Sequence, residues 1–187
     1  MEPTRHGWEL TEPFNNPYET TVQGFEVEWQ SNLTWLPVPF NGLVINANFS
    51  RIWSETQYPQ FFLERGPQGV VGIDTFRVGN MIHQPDHVAN VSLGYDYRGF
   101  SSRISVLYQG ATLRSIGIRE ETDGFTDDYI RWDAQARQRI LPGLDVFVNL
   151  HNITNRRDGA TQFTGEFPTA QEYYGWAFDI GLRYSIF

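Results

Sequence analysis

Residues 172–187 read Glu-Tyr-Tyr-Gly-Trp-Ala-Phe-Asp-Ile-Gly-Leu-Arg-Tyr-Ser-Ile-Phe. Every second residue gives Glu172, Tyr174, Trp176, Phe178, Ile180, Leu182, Tyr184 and Ile186; the other set is Tyr173, Gly175, Ala177, Asp179, Gly181, Arg183, Ser185 and Phe187. Side chains alternate faces along a strand, so Glu172–Phe187 reads as one two-faced strand with an apolar side. Soluble strands run about 5–6 residues. A tilted strand crossing a bilayer needs about 9–11, which suits this length.

The same alternation recurs upstream. Phe25, Val27 and Trp29 oppose Gly24, Glu26 and Glu28; Leu43, Ile45, Ala47 and Phe49 oppose Asn46, Asn48 and Ser50. Ala89, Val91, Leu93, Tyr95 and Tyr97 oppose Asn90, Ser92, Gly94 and Asp96; Ile104, Val106 and Tyr108 oppose Arg103, Ser105 and Gln109. Ile130, Trp132, Ala134 and Ala136 oppose Arg131, Asp133, Gln135 and Arg137; Leu144, Val146, Val148 and Leu150 oppose Asp145, Phe147, Asn149 and His151. Turn chemistry separates these runs. Short turns near Pro37, Gly99 and Gly143 alternate with long loops at Ser54–Pro85, Arg114–Asp128 and Asn155–Ala170.

Charges sort by face. Glu26, Glu28, Asp96, Arg103, Arg131, Asp133, Arg137, Arg139, Asp145, Asp179 and Arg183 fall opposite the apolar side, whereas Arg51, Arg114 and Glu172 break the rule only at loop ends. A basic side chain facing lipid costs roughly 2–4 kcal/mol at the midplane, so a bilayer enforces such sorting. The expected fold class is all-β, an antiparallel up-and-down meander of about seven long strands that is part of a transmembrane β-barrel. Seven strands are too few to close, because bacterial barrels begin at eight and open edges cannot face hydrocarbon.

Composition agrees. Mean hydropathy is −0.42 and no run of about 18 apolar residues exists, so no membrane helix is expected; barrel strands give a weaker signal. Aromatics make up 16% of the 187 residues, with 9 Tyr and 6 Trp, residue types that interfacial girdles use. Candidate girdle positions are Trp29, Tyr95, Tyr97, Tyr108, Trp132, Trp176 and Tyr184. A net charge of −8 argues against a nucleic-acid partner, and the lack of Cys excludes disulfides and thiolate chemistry. Glu2, Arg5, His6 and Glu9 leave no apolar core for a signal peptide in the first ten residues, which reads as a fragment.

Several segments resemble, in order and spacing, the C-terminal end of a TonB-dependent outer-membrane receptor. They are Gly24–Glu28, Asn32–Pro37, Leu43–Ser50, Pro85–Asn90, Arg131–Asp133 and Phe147–Asn155, followed by the terminal strand. The resemblance covers roughly residues 18–187, with 1–17 as an extracellular loop remnant. It implies one part of a 22-stranded, plugged barrel in the bacterial outer membrane, with the plug and the N-terminal strands absent. Uptake of a scarce ligand (siderophore, cobalamin or oligosaccharide) would then need the missing portion. The implied partners are outer-membrane lipid, that missing portion, the barrel-assembly machinery and, only through the absent plug, TonB. Phe187 stands where the assembly signal of such a barrel ends, although Leu182 and Tyr184 lie on the opposite parity.

Site candidates follow from chemistry. Trp53, Tyr58, Phe61 and Phe62 in the longest loop could stack on a ligand ring, and the inward row Arg131, Asp133, Arg137 and Arg139 could guide an anion. His83 and His87, four apart near Asp86, read as polar loop rim, and the acidic run Glu120, Glu121, Asp123, Asp127 and Asp128 lacks the spacing of a Ca²⁺ loop. Asn152-Ile153-Thr154 matches a glycosylation sequon but reads as a strand end. No nucleophile–base set supports catalysis, so neither an enzyme, a metal nor a cofactor is expected. The alternative is a soluble β-sandwich carbohydrate-binding module using the same aromatics. The two differ in where the apolar face points: a sandwich buries it between sheets.

Overall fold

The computed structural model describes residues 15–67, 69–163 and 167–186. Phe187 and residues 1–14, and with them the assembly-signal end and most of the 1–17 loop-remnant expectation, lie outside this range. Twelve strands are described: β1 Thr20–Asn32, β2 Leu43–Gly66, β3 Gly69–Gly79, β4 His87–Tyr97, β5 Phe100–Gln109, β6 Thr112–Ser115, β7 Gly124–Thr126, β8 Tyr129–Leu141, β9 Leu144–His151, β10 Arg157–Gln162, β11 Phe167–Tyr173 and β12 Ala177–Tyr184. Seven of them form an antiparallel meander in chain order, β1-β2-β4-β5-β8-β9-β12, with β3 paired to the far half of β2.

Local chemistry explains the hairpins. Arg98 and Gly99 both have positive φ (46° and 83°), as a two-residue type I′ turn needs, and this turn joins β4 to β5 with Tyr97 opposite Phe100. Pro142-Gly143, with Gly143 at φ 81°, supplies the Pro and Gly positions of a type II turn between β8 and β9.

Register then fixes the faces. Across the sheet run Trp29–Ala47–Val91–Val106–Trp132, and below them Ile45–Leu93–Ile104–Ala134–Leu150–Phe178. This apolar face is uncovered: Val27 is 57%, Leu93 48% and Ile180 70% exposed. A sandwich would bury it, so the carbohydrate-module alternative fails on its own criterion. Among the described residues the buried apolar side chains are Leu113 and Ala160, neither of them in the large sheet.

Three long loops are more ordered than their sequences suggest. Ser54–Pro85 is no irregular loop: β2 continues to Gly66 and returns as β3. Pro59 is tolerated because Gln57, of the same parity, directs its carbonyl to Asn16 (2.7 Å) rather than to β3; the N–H that Pro59 lacks would likewise point to the side of β2 away from β3. Between Arg51–His87 and Thr56–Gly79, five steps on β2 face eight on the β3–β4 side, and Asn80–Asp86 bulges out. Arg114–Asp128 and Asn155–Ala170 are likewise not plain loops. They contribute to a second, four-stranded sheet, β11-β10-β7-β6.

The last strand is shorter than its alternation suggests. Gly175 takes φ 78° and turns the chain from one sheet to the other, so Glu172 and Tyr173 end β11 and only Ala177–Tyr184 pairs with β9. The first short connection, Leu33–Gly42, is also not a tight turn: it is ten residues long and ends in a 3₁₀ turn at Phe40–Gly42.

Candidate functional site

The polar face of the large sheet carries the side chains with chemistry. On β1, Glu26 and Glu28 face inward, and Glu26 accepts a hydrogen bond from the Asn48 amide. Toward β12 the face becomes rich in arginine. Arg103 lies over Gly94, where an added Cβ would come within 2.5 Å of its Cδ, and its guanidinium grips Asp96 through two bonds of 3.0 and 2.6 Å. Arg131 Nε donates to Asp133 at 2.9 Å, and Arg139 and Arg137 approach Asp145 at 3.4 and 3.9 Å. The inward row Arg131, Asp133, Arg137 and Arg139 thus falls into two ion-pair groups along one band, Arg131–Asp133 and Arg137–Asp145–Arg139.

At the end where the long connections lie, this band meets a second cluster. The Arg156 guanidinium sits 3.8 Å from the Tyr129 ring centre, with Arg131 on the same ring at 6.0 Å. Asn152, at φ 53°, ties the rim together. Its N–H donates to Asp133 (2.9 Å), its amide donates to the Gly175 carbonyl (2.7 Å), and its side-chain oxygen accepts from the Arg156 N–H (2.9 Å). A concavity of ≈ 420 Å³ opens here, lined by Tyr129, Arg131, His151, Arg156 and Tyr174 among others. Hydrogen bonding to Glu172 raises the Tyr174 pKa, so the phenol stays protonated well above neutral pH. The sequence reading singled out only Arg131 and Asp133 of this cluster. Asn152 entered it as a sequon and Arg156 as loop, because their partners are remote in the chain.

The four loop aromatics do not form one platform. Trp53 is on the outer face, 5.9 Å from Phe25 and under Arg51. Phe61 is also on that parity, 60% exposed, whereas Tyr58 and Phe62 point the other way. Tyr58 is held by the bulge: its hydroxyl donates to the Asn80 carbonyl and accepts from the Ile82 N–H, both at 2.9 Å. His87 does not pair with His83; its ring bonds Arg51. Among the described residues, no three His, Asp or Glu side chains gather as metal ligands.

On the apolar face the aromatics separate by height. Trp29, Tyr95, Tyr97 and Tyr184 lie toward the short-turn ends of their strands, and Tyr108, Trp132 and Trp176 toward the long-connection ends. Tyr95 and Tyr97 stack with ring centres 6.1 Å apart.

An open antiparallel wall, apolar outside and ionic inside, defines the class: a portion of a β-barrel of the membrane-spanning kind. The family model described as TonB dependent receptor-like, beta-barrel matches residues 4–153, and the chain belongs to that family. TonB-dependent receptors are outer-membrane proteins that contact TonB through their plug, and the family is one of receptors and transporters rather than of enzymes. Among solved structures, the siderophore receptor PiuA from Acinetobacter baumannii aligns with TM-score 0.63 at 17% identity, over 89% of this chain and 22% of that one. FpvA of P. aeruginosa, solved with pyoverdines, aligns with TM-score 0.44 at 12% identity, over 92% of this chain and 31% of that one. The chain therefore spans about a fifth to a third of these receptors. A search of curated proteins finds no match.

Proposed function

We propose that this chain forms the C-terminal part of the barrel of a TonB-dependent transporter in the bacterial outer membrane. Residues 18–187 supply wall strands, and the plug and remaining strands come from elsewhere. The observation that carries this reading is the pair of free edges. Among the described residues, β1 pairs only with β2 and β12 only with β9, so both edges leave backbone groups without partners. In hydrocarbon each unpaired group costs several kcal/mol, so the sheet needs further strands to close. Transport by the chain alone is not expected.

The ligand is of the scarce kind such transporters take up, with siderophores ahead of cobalamin and oligosaccharides because PiuA is a siderophore receptor. The two aromatic tiers would sit at the two headgroup layers, with the barrel-assembly machinery inserting the wall and TonB acting through the plug. The test is expression with a signal peptide, followed by membrane fractionation and heat-modifiable gel mobility, with and without co-expressed complementary strands of a family barrel. Heat-modifiable protein in the membrane only with the complement supports the proposal. A soluble monomer that melts cooperatively refutes it.

A further inference from the structure

We propose that the inner wall carries an oxyanion site near its short-turn end, built from Arg103 of β5, Arg137 of β8 and Arg183 of β12. The three line one concavity of ≈ 410 Å³, together with Ser101, Gln135 and Asn149. Its polar lining among the described residues is three guanidiniums, two amides and a hydroxyl, with no carboxylate. Two carboxylates stand behind it. Asp96 holds Arg103, and Asp145 lies 3.9 Å from Arg137 and 3.4 Å from Arg139. Arg183 faces Asp145 in register but makes no ion pair among the described residues. Asp179, which accepts a bond from the Asn149 amide at 2.7 Å, borders it as well, so four arginines against three aspartates leave one positive charge in this corner.

The floor is shaped to stay open. The Phe147 ring lies on Gly181, where an added Cβ would come within 2.5 Å of it, so no side chain rises from β12 between Asp179 and Arg183. Guanidinium forks match planar and tetrahedral oxyanions through paired N–H donors and stay charged at every working pH. The hollow also continues upward. The next concavity shares Arg103, Gln135 and Asn149 and adds Arg131 and His151; the rim concavity shares Arg131 and His151 and adds Arg156. Arginines thus recur along the wall, with Asp133 lining both upper hollows and Asp158 the rim.

The occupant that fits is a free oxyanion such as inorganic phosphate. A polypeptide would bring apolar side chains that need cover, and the lining offers one ring, while its three guanidiniums outweigh the acceptors that Ser101, Gln135 and Asn149 supply for backbone N–H groups. This inference goes beyond the uptake reading, because it holds whichever ligand the complete receptor carries.

The experiment is ³¹P NMR titration of inorganic phosphate into the chain assembled in detergent micelles with the complementary strands of a family barrel, with folding checked on the same sample by heat-modifiable mobility. Saturable binding is expected, about tenfold or more weaker in the Arg137→Gln/Arg183→Gln double variant and unchanged in Arg98→Gln, a turn residue. Should the double variant fail to fold, Arg137→Lys/Arg183→Lys keeps the charge and is expected to bind several-fold more weakly through the lost forks. A folded chain without saturable phosphate binding, or lysine and glutamine variants that bind like the parent, overturns the site. So does a glutamate-rich peptide that binds while phosphate fails to displace it. Membrane insertion is read separately, so loss of phosphate binding leaves the transporter reading standing.

Discussion

Phe147 and Gly181 face each other across β9 and β12, and the ring occupies the space that a side chain at 181 would need. Gly181→Ala therefore forces the ring off its seat. Overpacking of this kind costs typically about 1–3 kcal/mol. The expected result is a lower urea midpoint for the chain assembled with its complementary strands, with Phe147→Ala in the same molecule recovering much of the loss. Equal midpoints for Gly181→Ala and the parent would show that the contact does not constrain the wall.

Val91 and Ser92 are consecutive on β4 and test which face meets lipid. Val91 lies between Ala47 and Val106 on the apolar face, and Ser92 between Asn46 and Ser105 on the polar one. Val91→Arg places a charge in hydrocarbon at about 2–4 kcal/mol, whereas Ser92→Arg adds one to an ionic wall. With the complementary strands present, folded yield in liposomes, read as heat-modifiable protein, is expected to fall for Val91→Arg and hold for Ser92→Arg. The reverse order would assign the faces the other way.

The seven wall strands were legible because each keeps a period of two long enough for face and charge to agree. The outer layer was not. In residues 54–85, Pro59 and four glycines interrupt the pattern, and both faces of the β2–β3 hairpin carry aromatics, so alternation loses contrast. The β6-β7-β10-β11 sheet has short polar strands, and its buried side chains (Thr112, Leu113, Ala160 and Thr161) give no apolar stripe to read. At the rim, Asn152 bonds to Asp133 and Gly175, 19 and 23 residues away; local patterns carry no trace of such bonds. The terminal alternation misled for a specific reason: Tyr174 and Trp176 keep the parity on either side of Gly175, where the chain leaves one sheet for the other.

Asp123 fastens the outer layer. It is 5% exposed, accepts both bonds from Arg77 Nη2 (2.5 and 2.6 Å) and one from the Gly117 N–H at 2.9 Å. Among the described residues Arg77 Nε and Nη1 are buried without hydrogen-bond partners, and Asp123 is the carboxylate that pairs with this guanidinium. Removing one half of a buried pair costs about 3–5 kcal/mol; the low end applies here, since 22% of the Arg77 side chain stays exposed. Asp123→Ala is expected to open the β6–β7 connection to trypsin at Arg114 and Arg119 while the wall strands stay protected. Unchanged cleavage there would mean the layer is held by its backbone ladders alone.

Tyr58 gives the same layer a pH dependence. It lies in the part of β2 beyond the apolar band, and burial raises its pKa above the ordinary tyrosine value of about 10, an effect partly opposed by the Ile82 N–H. The folded state thus favours the neutral phenol, the form that donates to the Asn80 carbonyl. Its contribution is complete below the unfolded value and disappears as pH rises through the higher folded one. Loss of the tertiary near-UV signal between about pH 9 and pH 11 should therefore begin later than free tyrosine titration and steepen once the phenol ionises. Tyr58→Phe removes the ionising group together with its bond to Asn80. That variant is expected to be less stable near neutrality and flatter across the alkaline range. A parent and a variant with parallel alkaline profiles would place the pH sensitivity on another group.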